Sequence, residues 1–195
     1  MNKFFNKVAH GQPIEADRGA SSIAGTEHVR SQIIQLFNKH SITSMFDAGC
    51  NDCSWAILLA AQINYCGADV NPGFIAMAKQ HYPDLNVQCI DIRIEPLLPA
   101  DCMMVRDVSI HFTNKEKTQL LQNFKKSKLQ WLLITHIPSC NENLDLPETL
   151  DIVTADVNWT LPPWNFPQPI DTIDELYHGG RCLALWHRDQ IESLI

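Results

Sequence analysis

The chain has 195 residues, of which 45% are hydrophobic and 19% charged, the composition of one globular domain that needs neither disulfides nor metal to hold its core. The 15 basic and 22 acidic residues give a net charge of −7, which disfavours a nucleic-acid partner. No apolar run approaches the roughly 18 residues of a membrane-spanning helix and no stretch resembles a signal peptide, so we expect a cytoplasmic protein without a membrane partner.

Residues 1–43 are predicted to form an N-terminal arm and one helix. The segment 11–22 is mostly polar or small, which is typical of a flexible arm. Apolar residues then recur at helical spacing and predict an amphipathic helix that begins near Thr26. These residues are Val29, Ile33, Leu36 and Phe37.

Residues 44–137 alternate short β-like runs with helix-like runs, which predicts an α/β fold with a doubly wound, mostly parallel, Rossmann-like sheet and helices on both faces. Helix starts are recognisable at Asn71, which precedes a proline, and at Thr113, which forms a capping box with Glu116. Several strands end beside a polar residue, where open α/β sheets bind ligands. The predicted strands are 44–47, 64–69, 86–90, 102–106, 131–135 and 182–186.

Three acidic residues at successive strand ends indicate a nucleoside site. Asp47 leads into a turn at Gly49, and a glycine after a strand lets the backbone approach a ligand closely. Asp69 ends the second strand twenty residues after Gly49, where a carboxylate can accept both hydroxyls of a ribose. Asp91 follows the third strand and can accept from an adenine amino group.

The seven cysteines are scattered and odd in number, so we expect reduced, mostly buried thiols. The spacing Cys50-x-x-Cys53 is found in metal and redox sites. No second pair with ligand spacing follows it, and two thiols cannot complete a tetrahedral zinc site. We therefore expect no metal.

Residues 138–181 break the alternation. Five of the eleven prolines fall within 141–177, and four of them within 161–169, which excludes regular helix and a central strand there. This Pro-rich segment is predicted to be an ordered loop, either plain cover for the edge of the sheet or an active-site lid. Residues 182–195 are predicted to form a terminal strand and tail of the same single domain.

The order Asp-x-Gly-Cys, then an acid after the second strand and another after the third, resembles the class I S-adenosylmethionine-dependent methyltransferases, whose first motif is usually DxGxGxG. Four further runs are similar to a small bacterial subgroup with RDxxxH and PPFNxP signatures, and residues 19–22 to its Ser/Gly-rich start. These runs are Arg106 to Phe112, Asp151 to Asp156, Pro162 to Pro167 and Leu183 to Trp186. The resemblance covers most of the chain and implies S-adenosylmethionine as the cofactor.

The resemblance also implies roles for individual residues in holding that cofactor. Asp47 and Gly49 would shape the turn, with backbone from Ala48 and Cys50. Asp69 would hold the ribose. The adenine would lie by Val70, Asp91 and Ile92, and the methionine part near Arg106.

The departures from the motif leave one alternative open. Asn51 and Cys53 stand where the general motif has its second and third glycines. Asparagine is the best non-glycine residue for a left-handed backbone, so Asn51 is expected to keep the turn. A catalytically weak or inactive domain, which binds the cofactor or only a partner protein, remains the first alternative to an enzyme.

The position of Asp107 and His111 after the fourth strand makes them the candidate catalytic residues. Methyl transfer is an in-line displacement, so the protein aligns the acceptor and, for a hydroxyl, removes its proton. His111 is the candidate base and Asp107 its partner or a substrate ligand. In the competing interpretation, Asp107 caps the turn and His111 packs beneath the lid. His136 is a second candidate base.

The Pro-rich segment carries the candidate substrate-binding residues Trp164, Asn165 and Phe166. With Trp159 they either form a wall over a small-molecule or glycan-like acceptor or constitute the core of the segment itself. The expected function is thus a methyltransferase for such an acceptor. A nicotinamide-dependent oxidoreductase is the second alternative, because Gly49 and Asp69 also fit dinucleotide spacing, although the turn lacks G-x-G-x-x-G.

Overall fold

The computed structural model describes residues 20–146, 154–176 and 179–195. The predicted arm up to residue 19 and the first three residues of the run 151–156 lie outside this part of the chain. The helices are α1 (Glu27–His40), α2 (Ile57–Ala60), α3 (Pro72–His81), α4 (Asn114–Lys126) and α5 (Arg188–Ile191), with a 3-10 helix at Ser109–His111. The strands are β1 (Ser44–Ala48), β2 (Asn64–Asp69), β3 (Asn86–Cys89), β4 (Cys102–Val105), β5 (Trp131–His136), β6 (Asp171–Asp174) and β7 (Cys182–His187).

The described strands form one seven-stranded sheet in the order β3-β2-β1-β4-β5-β7-β6. The first five are parallel, and β7 runs antiparallel to both β5 and β6. The predicted α/β fold with a mostly parallel sheet is confirmed. The chain leaves β1 toward β2 and later returns to its other side as β4, so the crevice at the carboxyl ends of β1 and β4 is a topological switch point.

Two hydrophobic layers cover the two faces of the sheet, as the alternation of side chains along a strand requires. In β4, Met103 and Val105 pack into one layer and Cys102 and Met104 into the other. Helix α4 and the Pro-rich segment cover the first layer, and α1, α2 and α3 cover the second. All four of these β4 side chains are fully buried.

Local sequence signals set the helix starts as predicted. Asn71 caps α3, where its side chain accepts from the amide of Gly73 at 2.8 Å. Thr113 and Glu116 form the capping box of α4. Helix α1 begins directly after Thr26.

Some strand bounds differ from the prediction. Strand β6 falls inside the stretch 138–181, for which the sequence predicts a loop. The sequence does not reveal this strand, because only Ile173 of its four residues is buried and no alternation of apolar and polar residues is visible. Strand β4 ends at Val105 and β3 at Cys89, so Arg106 and Asp91 lie beyond their strands. Among the described residues, no helix has the length and apolarity needed to cross a membrane.

Candidate functional site

The turn after β1 requires glycine at its first position. Gly49 has a φ of +103°, and a methyl group added there would overlap the side chain of Val108. Val108 belongs to the loop after β4. The turn therefore packs directly against the loop that follows β4. Gly49 is needed both for its backbone angle and for this close contact.

The two residues that replace glycines of the general motif adopt the conformation that glycine permits. Asn51 has a φ of 56° and Cys53 a φ of 59°, both in the left-handed region. The expectation that Asn51 keeps the turn is confirmed, and Cys53 does the same with a small, fully buried side chain. The turn thus keeps its shape without its second and third glycines.

The turn is fastened to the end of β2 by three backbone amides. Gly49 and Cys50 both donate to the carbonyl of Ala68, at 2.7 and 2.9 Å, and Asn51 donates to Oδ2 of Asp69 at 3.0 Å. The Cys50 amide, which was predicted to lend backbone to a ligand, is used within the protein. Ala48 ends β1, in register with Ala68.

Asp69 lies where the ribose ligand was predicted. It is 8% exposed, and its Oδ1 accepts from the amide of Asn71 at 2.8 Å while Oδ2 accepts from Asn51. Burial raises the pKa of Asp69, although the amides of Asn71, Asn51 and Val70 oppose the shift. Because each carboxylate oxygen can accept two hydrogen bonds, the group keeps acceptor capacity for a hydroxyl donor. Val70 follows it, partly buried on the sheet.

Asp47 lies beneath the turn rather than in contact with solvent. Its Oδ2 accepts from the hydroxyl of Tyr65 at 2.8 Å, and the residue is 2% exposed. Burial raises the pKa of Asp47 to about 7, against the Tyr65 hydrogen bond and the charge of Arg106. Tyr65 was not among the predicted site residues. The sequence could not reveal its hydrogen bond to Asp47, because that contact depends on how β1 and β2 pair.

At the third strand, Asp91 is bound by a neighbour. Arg93 contacts both of its carboxylate oxygens, at 2.8 and 2.6 Å, and also pairs with Glu116 at the start of α4. Burial opposes ionisation of Asp91, but the hydrogen bonds and charge of Arg93 outweigh it and lower its pKa. Ile92 is buried in the core beside it. Asp91 and Arg93 thus form an ion pair after β3, where the sequence analysis predicts the edge of an adenine site.

Arg106 forms a buried ion pair with Glu175 at the end of β6. Its Nε and Nη2 donate to the two carboxylate oxygens at 2.7 and 2.9 Å, and Nη2 also donates to the carbonyl of Ala20 at 3.1 Å. The guanidinium lies 5.5 Å from the ring centre of Trp55. The sequence analysis does not identify Glu175, which is 69 residues away in the chain and directly follows β6, a strand in a stretch predicted to be a loop.

The candidate catalytic residues follow β4. Asp107 has a left-handed φ of 55°; its amide donates to the Thr135 hydroxyl at 2.8 Å and its carboxylate accepts from Arg181 at 3.4 Å. His111 ends the 3-10 helix and is partly exposed. The structure therefore adds Arg181, which the sequence analysis did not single out, to the surroundings of Asp107.

His136, the second candidate base, is buried at the end of β5. Its Nδ1 accepts from the amide of Trp159 at 3.3 Å, and burial lowers its pKa to about 4. The ring is neutral near pH 7, with its proton on Nε2. It packs edge-on against Trp186 at 5.6 Å.

Trp159, Trp164 and Phe166 of the Pro-rich segment are inside the protein. Trp159 contacts Trp164 at 4.6 Å and Phe166 at 5.9 Å between ring centres, and Phe166 packs on Trp186 of β7 at 5.5 Å. Of the three predicted substrate-binding residues, Trp164 and Phe166 are buried and Asn165 is exposed. The three rings belong to the hydrophobic layer that covers this face of the sheet.

Neither disulfide nor metal clusters occur in the part of the chain that the structure describes. All seven cysteines are free thiols, and five of them are buried. No group of three or more His, Cys, Asp or Glu side chains among the described residues could hold a metal ion. A hydrogen bond with the neighbouring Cys53 thiol, together with burial, raises the pKa of Cys50, which suits an inert structural role.

No protein-family model and no curated protein sequence matches this chain. Its fold does match solved structures. A magnesium protoporphyrin IX methyltransferase from Synechocystis PCC 6803, with bound SAM, is 14% identical over 94% of this chain and 90% of that chain, with a TM-score of 0.61. The N-methyltransferase NodS from Bradyrhizobium japonicum WM9, in complex with S-adenosyl-L-homocysteine, is 15% identical over 94% of this chain and 95% of that one, with a TM-score of 0.59.

A sugar N-methyltransferase, KedS8 from Streptoalloteichus sp ATCC 53650, matches with a TM-score of 0.50 at 15% identity, over 60% of this chain and 49% of that chain. At these identities the likeness concerns the fold. The chain has the fold of S-adenosylmethionine-dependent methyltransferases, and its glycine turn and strand-end carboxylates lie at the carboxyl edge of that fold.

Proposed function

We propose that this protein is an S-adenosylmethionine-dependent methyltransferase that acts on a small-molecule or glycan-like acceptor. The carboxylate of Asp69 carries the proposal, because it is buried at the end of β2, hydrogen-bonded to the glycine turn, and keeps acceptor capacity for a ribose hydroxyl. Two solved structures of the same fold contain SAM or S-adenosyl-L-homocysteine.

In this proposal, the residues around the turn hold the cofactor. Asp69 accepts from the ribose, and Val70 flanks the adenine. The remaining contacts are assigned to Asp47, Ala48, Gly49, Cys50, Asp91, Ile92 and Arg106. The cofactor supplies a methyl group bonded to a positively charged sulfonium sulfur, and the neutral thioether is the leaving group. Because Arg106 and Asp91 are already paired with Glu175 and Arg93, they are expected to shape the pocket walls more than to form new ion pairs.

The acceptor is expected on the side of the loop after β4. Asp107 and His111 would orient it and remove its proton, since both follow a strand that ends at the switch point. Asn165 is the exposed member of the three predicted substrate-binding residues, and its amide is available to an acceptor hydroxyl or amine. Trp164 and Phe166 would support it from below. This chain is similar to the solved structures of a sugar N-methyltransferase and of a second N-methyltransferase, which supports an acceptor of this kind.

The two sequence signatures support a finer placement. The run from Arg106 to Phe112 and the run from Pro162 to Pro167 fit the small bacterial subgroup with RDxxxH and PPFNxP signatures. Free thiols at all seven cysteines support a reducing, cytoplasmic location. The net charge of −7 supports a partner other than nucleic acid.

The nicotinamide alternative is disfavoured by the sheet. The dinucleotide-binding fold has six strands in the order 3-2-1-4-5-6, whereas here an antiparallel β7 lies between β5 and β6. The inactive-domain alternative loses its main support, because Asn51 and Cys53 retain the left-handed turn.

Isothermal titration calorimetry with SAM, S-adenosylhomocysteine and NAD tests the proposal directly. We expect saturable binding of the first two with a matching rise in melting temperature, and none with NAD. Binding of NAD alone would overturn the proposal. Absence of binding by all three would favour a partner-binding domain.

Replacement of Asp69 tests the assigned ribose contact. We expect Asp69→Ala to weaken S-adenosylhomocysteine binding about 30-fold or more, because hydrogen bonds to a charged group contribute roughly 2 kcal/mol. Asp69→Asn retains an acceptor for the Asn51 amide and should bind with intermediate affinity. Asp84→Asn, an exposed carboxylate in the turn after α3, is the control and should bind like wild type. Undiminished affinity in folded Asp69→Ala would remove Asp69 from the site.

A further inference from the structure

A groove at the amino edge of the sheet has no part in the proposed function. It lies between the loop that joins β3 to β4 and the end of helix α4, and its volume is about 540 Å³. Small-ligand sites typically enclose about 300–1,000 Å³. The loop leads into β4 and the helix into the parallel β5, so the groove lies at the opposite edge of the sheet from Asp69. The apolar part of its lining includes Ile94, Pro96, Leu97, Leu98, Pro99 and Leu129.

One residue of α4 fixes the shape of the groove. The side-chain amide of Asn123 donates to the carbonyls of Ile92 and Glu95, at 2.9 and 2.7 Å, which holds the loop against the helix. Leu98 is buried in the hydrophobic layer on this face of the sheet, whereas Ile94 is 68% exposed. The groove thus combines a fixed apolar floor with an apolar rim that is open to solvent.

Two lysines line the wall that α4 provides. Lys126 and Lys128 are exposed, and neither forms an ion pair within the part of the chain that the structure describes. Lysines near a helix end often interact with its last carbonyls. Here Arg188 already donates to three of those carbonyls, at 3.0–3.1 Å. The two ammonium groups are therefore available to an anion.

The acidic side chains of residues 94–101 do not compete for these lysines. The carboxylate of Glu95 accepts from the amide of Asp91 at 2.6 Å. The carboxylate of Asp101 accepts from Thr43 and Ser44, at 2.7–2.9 Å. In a chain with a net charge of −7, the groove is thus a local site of unpaired positive charge.

We propose that this groove binds an amphipathic carboxylate with a medium-length acyl chain. The chain would lie on the apolar floor, with the carboxylate on Lys126 and Lys128. The amides of Leu97, Leu98 and Ala100 form no hydrogen bond with another described residue, so they are further donors for it. Because the groove and the cofactor edge lie at opposite ends of the strands, this binding does not depend on the proposed methyl transfer.

Titration of the isotope-labelled protein with decanoate, followed by NMR, tests both binding and its place. We expect saturable shifts of the amides of Leu97, Ala100 and Leu129, and unchanged amides at Asn51 and Asn71 beside the candidate cofactor site. Decyltrimethylammonium has the same chain and a cationic head, so it should not produce these shifts. Shifts confined to the carboxyl edge of the sheet, or no saturable shift, would overturn the proposal.

Substitution of the two lysines tests recognition of the carboxylate. We expect Lys126→Gln combined with Lys128→Gln to weaken decanoate binding about fivefold, because two exposed ion pairs are lost. High salt should weaken wild-type binding in the same direction. Lys115→Gln, at an exposed position in the first turn of α4, is the matched control and should bind like wild type. Wild-type affinity in the folded double variant would contradict the assigned anion site.

Chain length and one rim substitution test the apolar floor. Affinity should rise about tenfold from octanoate to decanoate, since two more methylene groups are buried. Ile94→Ser, at an exposed position, should weaken decanoate binding about threefold. Affinity that does not depend on chain length would overturn the proposal. Binding of an acidic, leucine-rich peptide or of phosphatidylglycerol vesicles, without binding of decanoate, would also overturn it and would make the groove a protein or membrane contact.

Discussion

Gly49 shows how one residue fixes the geometry of the site. Its backbone angle is closed to L side chains without strain, and Val108 fills the space where a side chain would begin. Asn51 and Cys53 have φ values of 56° and 59°, in the small left-handed region that L residues can adopt, whereas Gly49 has a φ of 103°. Gly49 is therefore constrained both by its backbone angle and by its contact with Val108.

We expect Gly49→Ala to destabilise the protein by about 2–4 kcal/mol, the sum of a strained positive φ and an overpacked contact. Urea unfolding followed by circular dichroism measures the change. Gly179→Ala is the matched control, because no atom lies near the added methyl group, and it should change stability by less than about 0.5 kcal/mol. Equal stability of Gly49→Ala and wild type would mean that Val108 yields at no cost.

Helix α4 carries a fully buried lysine on the face that meets the Pro-rich segment. The ammonium of Lys117 lies 5.8 Å from the ring centre of Trp164, and its hydrogen bond to the Asn114 side chain is 3.3 Å long. Burial lowers the pKa of Lys117 to about 8, in spite of the nearby Asp145. A charged group with so few partners costs the element stability at neutral pH.

Lys117→Met should therefore stabilise the protein by about 1–3 kcal/mol at pH 7. In wild type the folded chain loses this proton above about pH 8 while the unfolded chain holds it to 10.5, so Lys117 contributes a rise of the free energy of unfolding with pH across that interval, opposite in sign to the contribution of the buried cysteines. The variant should lack this rise. Lys115→Met, on the exposed face of the same helix, should keep it. Denaturant unfolding at pH 7, 8, 9 and 10 gives the comparison, and a destabilised Lys117→Met would show that the Asn114 contact and the ring outweigh burial.

The elements also show which features the sequence could predict. Caps such as Asn71 and the Thr113–Glu116 box depend on neighbours in the chain, so their residue types sufficed. The strand-end positions of Asp47 and Asp69 followed from the same local pattern. Glu175 and Arg181 could not be found this way, because their roles depend on β7 pairing with β5 and β6 pairing with β7. Lys117 was hidden for a similar reason, since its burial comes from a segment almost fifty residues away.

Over the whole molecule, two buried titratable groups oppose each other in acid. The pKa of Asp47 is raised from 3.8 to about 7, so the folded chain holds a proton that the unfolded chain has lost, and stability should fall as the pH rises between these values. The pKa of His136 is lowered from 6.5 to about 4, so the unfolded chain holds the extra proton and stability should rise across nearly the same interval. In wild type the two contributions largely cancel.

Asp47→Asn should expose the imbalance. An asparagine can still accept from the Tyr65 hydroxyl but does not titrate, so the free energy of unfolding should climb with pH between 4 and 6.5 more steeply than in wild type. Urea unfolding at half-unit pH steps measures the slope. His136→Gln should change the slope in the opposite direction, and parallel curves for Asp47→Asn and wild type would show that Asp47 is ionised throughout this range.

The sheet order was also within reach of the sequence only in part. Alternating strands and helices predicted a doubly wound, mostly parallel sheet, and the first five strands of the sheet order are parallel. The insertion of β7 between β5 and β6 was not predictable, because β6 buries a single side chain and the prolines before it conceal the period of a strand. The residues of β7 do not themselves indicate that this strand runs antiparallel to its neighbours.

The indole rings of Trp159 and Trp164, with centres 4.6 Å apart, are close enough for their excited states to mix. Phe166 packs on both Trp159 and Trp186, so three of the five tryptophans of the chain lie in one aromatic cluster that spans the Pro-rich segment and β7. The protein thus carries an intrinsic, label-free fluorescent probe of the packing between residues 159–166 and the sheet.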